Sequence, residues 1–89
     1  MNPDLLNRII LKLSIGYSEG IYSGKRYGLT RTDFNGGRSS KVYAEALGGN
    51  DFIGFNYYRT QTENLLKPCE MPQIHVIRFL KGFVVISDS

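Results

Sequence analysis

Residues 39–60 read SSKVYAEALGGNDFIGFNYYRT, and the two halves of this stretch decide the fold. In the first half Val42, Ala44 and Ala46 alternate with Lys41, Tyr43, Glu45 and Leu47. A period of two sets the apolar residues on one side of an extended strand. In the second half Ile53, Phe55 and Tyr57 lie opposite Phe52, Asn56 and Tyr58. The GGND between the halves is turn chemistry. Upstream, GKRYGLTRTDF (24–34) is rich in β-formers with a looser alternation. The FNGGR that follows supplies Asn35-Gly36, a dipeptide that accepts positive φ in tight hairpin turns. Three strands joined by short Gly/Asn turns predict an antiparallel meander.

Helical patterns flank this core. Near the start, Asn2 suits an N-cap, Pro3 the first helical position, and Asp4 the positive end of the helix dipole. Leu6, Ile9, Ile10 and Leu13 then recur on one stripe before Gly16, which predicts a helix over 3–14. On the far side QTENLLK (61–67) reads as a polar connection that turns apolar at Leu65 and Leu66. The segment QIHVIRFLKGF (73–83) admits two readings. As a helix it starts with Pro72 at the first position, buries Val76, Phe79, Leu80 and Phe83, and stops at Gly82. As strands, IHVIRFL and FVVIS pair across Lys81-Gly82, which the β-branched content favours. The helix is the expected form, with FVVIS as a short extended tail. The expected fold is a single α+β domain over 1–89, a three-stranded antiparallel β-meander packed against an N-terminal and a C-terminal helix (α-β-β-β-α). So small a sheet needs one face covered, and the other is left to solvent or a partner.

Composition narrows the function classes. With 89 residues, 42% hydrophobic and 21% charged, the chain has ordinary globular proportions and room for one small core. No apolar run approaches the roughly 18 residues of a membrane span, and the first residues lack the grammar of a signal peptide. One cysteine, Cys69, forms no internal disulfide and, with the single histidine His75, no zinc site. A reduced, cytoplasmic domain without metal or cofactor is the expectation. The net charge of +3 is concentrated: Lys25, Arg26, Arg31, Arg38 and Lys41 stand against Asp33 alone, whereas charges after Gln61 balance. A local basic stripe steers anionic partners, though this one is modest.

KVYAEALGG (41–49), NYYR (56–59) and LKPCEMP (66–72) together resemble a group of small bacterial proteins that share K-V-Y-A-x-x-L-G-G, N-x-Y-R and L-K-P-C-E-M-P. The resemblance spans about Gly24 to Leu80, and its last string is the most specific. Some members carry the label peptide methionine sulfoxide reductase. That implies a thiol enzyme with Cys69 as the candidate catalytic residue. The best-known reductase type places its cysteine in a Gly-Cys-Phe-Trp run, and this chain has no tryptophan.

From the residues themselves, Cys69 precedes a predicted helix start and lies two residues from Lys67, both of which favour thiolate. Adjacent Glu70 opposes it. No second cysteine resolves a sulfenic acid, and His75 is the only histidine to act as base. Free cysteine also behaves as a small buried hydrophobe, so packing is the expected role. His75, flanked by Ile74 and Val76, is read as a structural or surface residue.

The predicted sheet offers a different candidate. Lys25, Arg26, Tyr27, Arg31, Lys41, Tyr43, Tyr58 and Arg59 fall on three strands expected to be neighbours. Cations interleaved with aromatics on an open sheet hold single-stranded nucleic acid in some modules, by stacking and phosphate contact. Tyrosine rings that cap the core of a solvated, mixed-charge face are the plainer reading. Nothing here matches the ribonucleoprotein strings. Asn56 and Arg59 read as a structural network, with Arg59 expected to pair with Glu45 across strands. The expected function is a non-enzymatic binding module. It uses Lys25, Arg26, Arg31, Lys41, Tyr43, Tyr58 and Arg59, with a protein partner or a second copy on that face. Nucleic acid is the lesser alternative, beside the thiol enzyme.

Overall fold

The computed structural model describes residues 3–88, with side chains over 5–86. Its elements run α1 (Pro3–Lys12), β1 (Gly16–Tyr22), β2 (Lys25–Phe34), β3 (Ser39–Ala46), β4 (Phe52–Arg59), β5 (Asn64–Pro68), α2 (Gln73–Gly82) and β6 (Val84–Asp88). The sheet is six-stranded, in the order β5-β4-β3-β2-β1-β6, and every neighbouring pair is antiparallel. The three-stranded meander expected from the sequence is therefore too small. It is the centre of the sheet, and β1, β5 and β6 extend it on both sides.

Each missed strand has a physical reason. In β1 the buried inward positions are Ser18 and Gly20, and only Tyr22 at the strand's end adds a ring to that face, so the buried face shows no apolar alternation. β5 is five residues long and only half-buried along most of its length, so LL within QTENLLKP looks like a loop turning apolar. The FVVIS tail is β6, which pairs with β1 through Ile21↔Val84 and Gly20↔Val85. The helical reading of 73–83 holds, and the alternative strand over IHVIRFL does not form.

Helix α1 ends two residues before the expected Ser14, with Leu6, Ile10 and Leu13 buried against the sheet. The expected N-cap Asn2 lies outside the described residues, as does the side chain of Asp4. Helix α2 takes Pro72 as its N-cap, in extended conformation, rather than as its first helical residue. Val76, Phe79 and Leu80 are buried, and the Phe83 amide closes the helix by donating to the Phe79 carbonyl at 2.8 Å.

Both helices lie on one face of the sheet. The core joins Val42, Ala44, Ala46, Ile53, Phe55 and Tyr57 of β3 and β4 to Leu29 and Tyr27 of β2 and to the helix stripes. Each fully buried large apolar side chain contributes roughly 1.5–3 kcal/mol, so the two-strand alternation that opened the sequence carries much of the stability. Around α2, Phe79 packs between Tyr22, Tyr27 and Phe83, with ring centroids 5.0, 5.4 and 4.9 Å away. The β2–β3 connection is a four-residue turn over 35–38 rather than a two-residue hairpin. Asn35 and Gly36 adopt φ of 56° and 67°, as the Asn-Gly pair predicts.

Candidate interaction face

The register sorts the predicted site residues onto two faces. Cross-strand partners share a face. The rows Tyr17–Thr30–Tyr43–Gly54, Glu19–Gly28–Glu45–Phe52 and Thr32–Lys41–Asn56–Lys67 therefore lie on the side away from the helices. Arg26 and Tyr58 belong to the same side, opposite Ile21 and Ser39 respectively. Of the predicted residues, Arg26, Lys41, Tyr43 and Tyr58 are thus together on the open face.

Arg31 and Arg59 are not. Arg31 pairs with Val42 in register, which turns it under α1, and it is 5% exposed. Its Nε and Nη2 donate to the two carboxylate oxygens of Asp33 at 3.0 and 2.8 Å. Its Nη1 donates to the carbonyls of Leu13 at 2.7 Å and Ile10 at 3.3 Å, satisfying the free end of α1. The hydrogen bonds from Arg31, then that from Ser40, hold the Asp33 carboxyl below its ordinary range against the opposing effect of burial. Arg59 donates to Asn7 Oδ1 at 2.7 Å and Ser40 Oγ at 2.8 Å and lies 5.2 Å over the Tyr57 ring. Desolvation pulls its guanidinium below the usual value. The expected Arg59–Glu45 pair does not form, because the two residues face opposite sides of the sheet. Both arginines fasten α1 to the sheet. Lys25 sits at the sheet's end in a solvent-exposed pair with Asp51 at 2.8 Å.

The open face is aromatic more than basic. Tyr17, Tyr43 and Phe52 are 41%, 44% and 42% exposed, and Phe34 and Tyr58 extend the aromatic surface along the sheet. Tyr17 lies across Gly28, where its ring and hydroxyl fill the space a side chain would occupy. Tyr43 stacks on Phe52 with centroids 6.2 Å apart and planes 24° from parallel. Carboxylates orient the phenols: Tyr17 donates to Glu19 at 3.1 Å and Tyr43 to Glu45 at 3.5 Å. Partial desolvation, then the bond to Glu19, pushes the Tyr17 phenol above its ordinary value. Arg26 is held by Glu19 at 2.9 Å. On β1–β5 this leaves Arg26, Lys41 and Lys67 against Glu19 and Glu45, so the charge is nearly balanced.

Cys69 follows β5, and its amide donates to the Gly54 carbonyl at 2.9 Å. The half-buried side chain lies along Gly54 beside Tyr43, at the margin of the open face. Glu70, with φ of 57°, turns the chain away, and α2 begins only at Gln73. Cys69 is therefore not at the helix N-terminus. His75, Glu70 and Arg78 instead line an open cleft of about 400 Å³ with Asp51, Phe52 and Met71. The sequence reading missed this cleft, because its walls come from the β3–β4 turn, the β5–α2 joint and α2. Phe52 belongs to both the cleft and the aromatic stack. Among the described residues no His/Cys/Asp/Glu group could hold a metal, and no helix is long and apolar enough to cross a membrane.

Among known proteins, no family model, no curated protein and no solved structure matches the chain. The functional reading rests on the geometry.

Proposed function

We propose that the chain is a non-enzymatic interaction module that holds a protein partner on the open face of its sheet. The observation that carries this is the row of exposed aromatic rings, Tyr17, Tyr43, Phe52 and Tyr58, left uncovered because both helices pack on the other face. Aromatic side chains pre-set by stacking and by carboxylate hydrogen bonds lose little freedom on binding, and Tyr and Arg are enriched at interface centres. The near balance of charge favours protein over nucleic acid. Tracking phosphates needs an excess of cations, and Arg31 and Arg59 are committed beneath α1.

The single free cysteine suits a reducing, cytoplasmic setting. The kinship suggested by KVYAEALGG, NYYR and LKPCEMP belongs to this reading as a shared scaffold. LKPCEMP supplies the end of β5, the Cys69 contact to Gly54 and the Glu70 turn into α2.

The test is a photo-crosslinking side chain at position 43 in cells of the native host. A discrete adduct at 43, lost on Phe52→Ala and not formed from position 8 on α1, is the expected result. Identical adducts from both positions, or none from 43, would refute the reading.

A further inference from the structure

Where the β2–β3 and β4–β5 turns meet at one end of the sheet, they enclose an open pocket of about 710 Å³. Asn35 and Arg38 line it from the first turn, and Tyr58, Arg59, Thr60 and Gln61 from the end of β4 and the second turn. One step beyond the Ser39↔Tyr58 pair, Arg38 and Arg59 stand opposite each other. The Arg59 amide donates to the Arg38 carbonyl at 2.7 Å, and Arg59 Nη1 to the Gly37 carbonyl at 3.3 Å. Two cations are thereby held side by side, and among the described residues no carboxylate lines the pocket. Asp33, the carboxylate that acts on Arg59, is already engaged by Arg31 and by the Ser40 hydroxyl at 2.7 Å. Like charges set opposite each other across strands are unfavourable by themselves. Neither guanidinium is used up by the protein. Arg38 is exposed and donates through Nε to the Asn35 carbonyl at 3.2 Å, with no partner for its Nη groups among the described residues. Arg59 Nη2 is buried, also without a hydrogen-bond partner among the described residues.

We propose that this pocket binds a phosphoryl group, carried by a small phosphate monoester or by a phosphorylated side chain. A tetrahedral dianion accepts from the Nη groups of Arg38 and neutralises Arg59 beside it, the recognition for which guanidinium is best suited. A planar, singly charged carboxylate offsets only one of the two cations. The Tyr58 hydroxyl and the Gln61 amide stand in the lining as further donors. The walls are set before any ligand arrives: the Arg38 amide donates to the Asn35 carbonyl at 3.3 Å, and the Thr60 amide to the Glu63 carbonyl at 3.0 Å. Little ordering is therefore needed on binding. One pocket at the end of the sheet holds one anion, and it makes no track along a nucleic-acid backbone. It shares Tyr58 with the open face, but the proposal does not depend on what that face binds.

Amide chemical shifts of the isotope-labelled full chain, titrated with inorganic phosphate at constant ionic strength, test it. Saturable shifts confined to residues 35–39 and 58–61 are expected, with acetate binding at least about tenfold more weakly. Arg38 is exposed, so Arg38→Ala is expected to stay folded and to weaken phosphate binding at least about tenfold. Lys25→Ala, an exposed cation at the opposite end of the sheet, is expected to leave binding unchanged. Glycerol phosphate and a capped phosphoserine peptide, titrated in the same way, identify the carrier by which of them binds more tightly, and either fits the proposal. Phosphate shifts that never saturate, that appear equally around Lys25 and Lys81, or that persist in Arg38→Ala overturn it. So does acetate binding as tight as that of phosphate.

Discussion

Replacing Gly20 by alanine puts a methyl group where β6 already lies. A Cβ at this position falls 2.4 Å from the Val84 carbonyl oxygen and 2.5 Å from the Phe83 ring, and the first of these is backbone. The strand has to move. Forcing a methyl into packed surroundings costs about 1–3 kcal/mol. The Phe79–Phe83 stack, worth about 0.5–1.5 kcal/mol, is disturbed with it. Alanine recovers about 0.5–1 kcal/mol over glycine in an extended strand. The net loss is about 2 kcal/mol, which for a chain of this size lowers Tm by about 8–16 °C. Gly28→Ala is the paired control. Its Cβ meets the Tyr17 hydroxyl at 2.5 Å, but that is the far end of an exposed side chain that can swing into solvent. Gly28→Ala is therefore expected within about 0.5 kcal/mol of wild type. Urea unfolding followed by far-UV circular dichroism measures both. Equal stability of the two variants, or a Gly20→Ala chain as stable as wild type, would refute the docking of β6 described here.

Arg31→Met leaves Asp33 without its ion pair and the end of α1 uncapped, and is expected to cost about 3 kcal/mol in denaturant melts. Arg26→Ala breaks a largely exposed pair and is expected to cost less than about 1 kcal/mol. Because the Asp33 carboxyl titrates below its unfolded value of about 3.9, its contribution is complete above that pH. It is lost as pH falls through the lower folded value. Thermal melts across the acid range are expected to show this loss in wild type and a flatter limb in Asp33→Asn. Cys69, half-buried against Gly54, is expected to alkylate more slowly in the native chain than in denaturant, and Cys69→Ala to cost less than about 1 kcal/mol.

The central strands were legible because most inward positions of β3 and β4 are apolar: Val42, Ala44 and Ala46, then Ile53, Phe55 and Tyr57. The helices were legible for the same reason at their own period. β1 was not, since a buried face of Ser18 and Gly20 carries no hydrophobic signal. Gly20 is needed there because Phe83 takes the space of a side chain. The site was half legible. Arg26, Lys41, Tyr43 and Tyr58 alternate outward as expected. Arg31 and Arg59 follow apolar residues on the inward phase, Leu29 before the one and Tyr57 before the other, but a charge in a strand is read as outward. What reverses that is tertiary: Asp33, Ser40, Asn7 and the carbonyls of Ile10 and Leu13 converge only when α1 lies on the sheet. The aromatic predominance of the open face is tertiary too, since Tyr17 comes from the strand that went unread.

The most direct measurement of the central claim is the affinity of the partner captured at position 43 for wild type, for Phe52→Ala and for Arg8→Ala, titrated in parallel. Phe52 stacks on Tyr43 on the open face, near the β3–β4 end of the sheet, and Arg8 is exposed on α1. Removing an aromatic side chain that anchors an interface typically costs more than about 1.4 kcal/mol, a tenfold change in Kd. The account predicts at least that loss for Phe52→Ala, with Arg8→Ala unchanged and both variants folded. Binding that withstands Phe52→Ala and fails with Arg8→Ala would place the interface on the helical side and contradict the account.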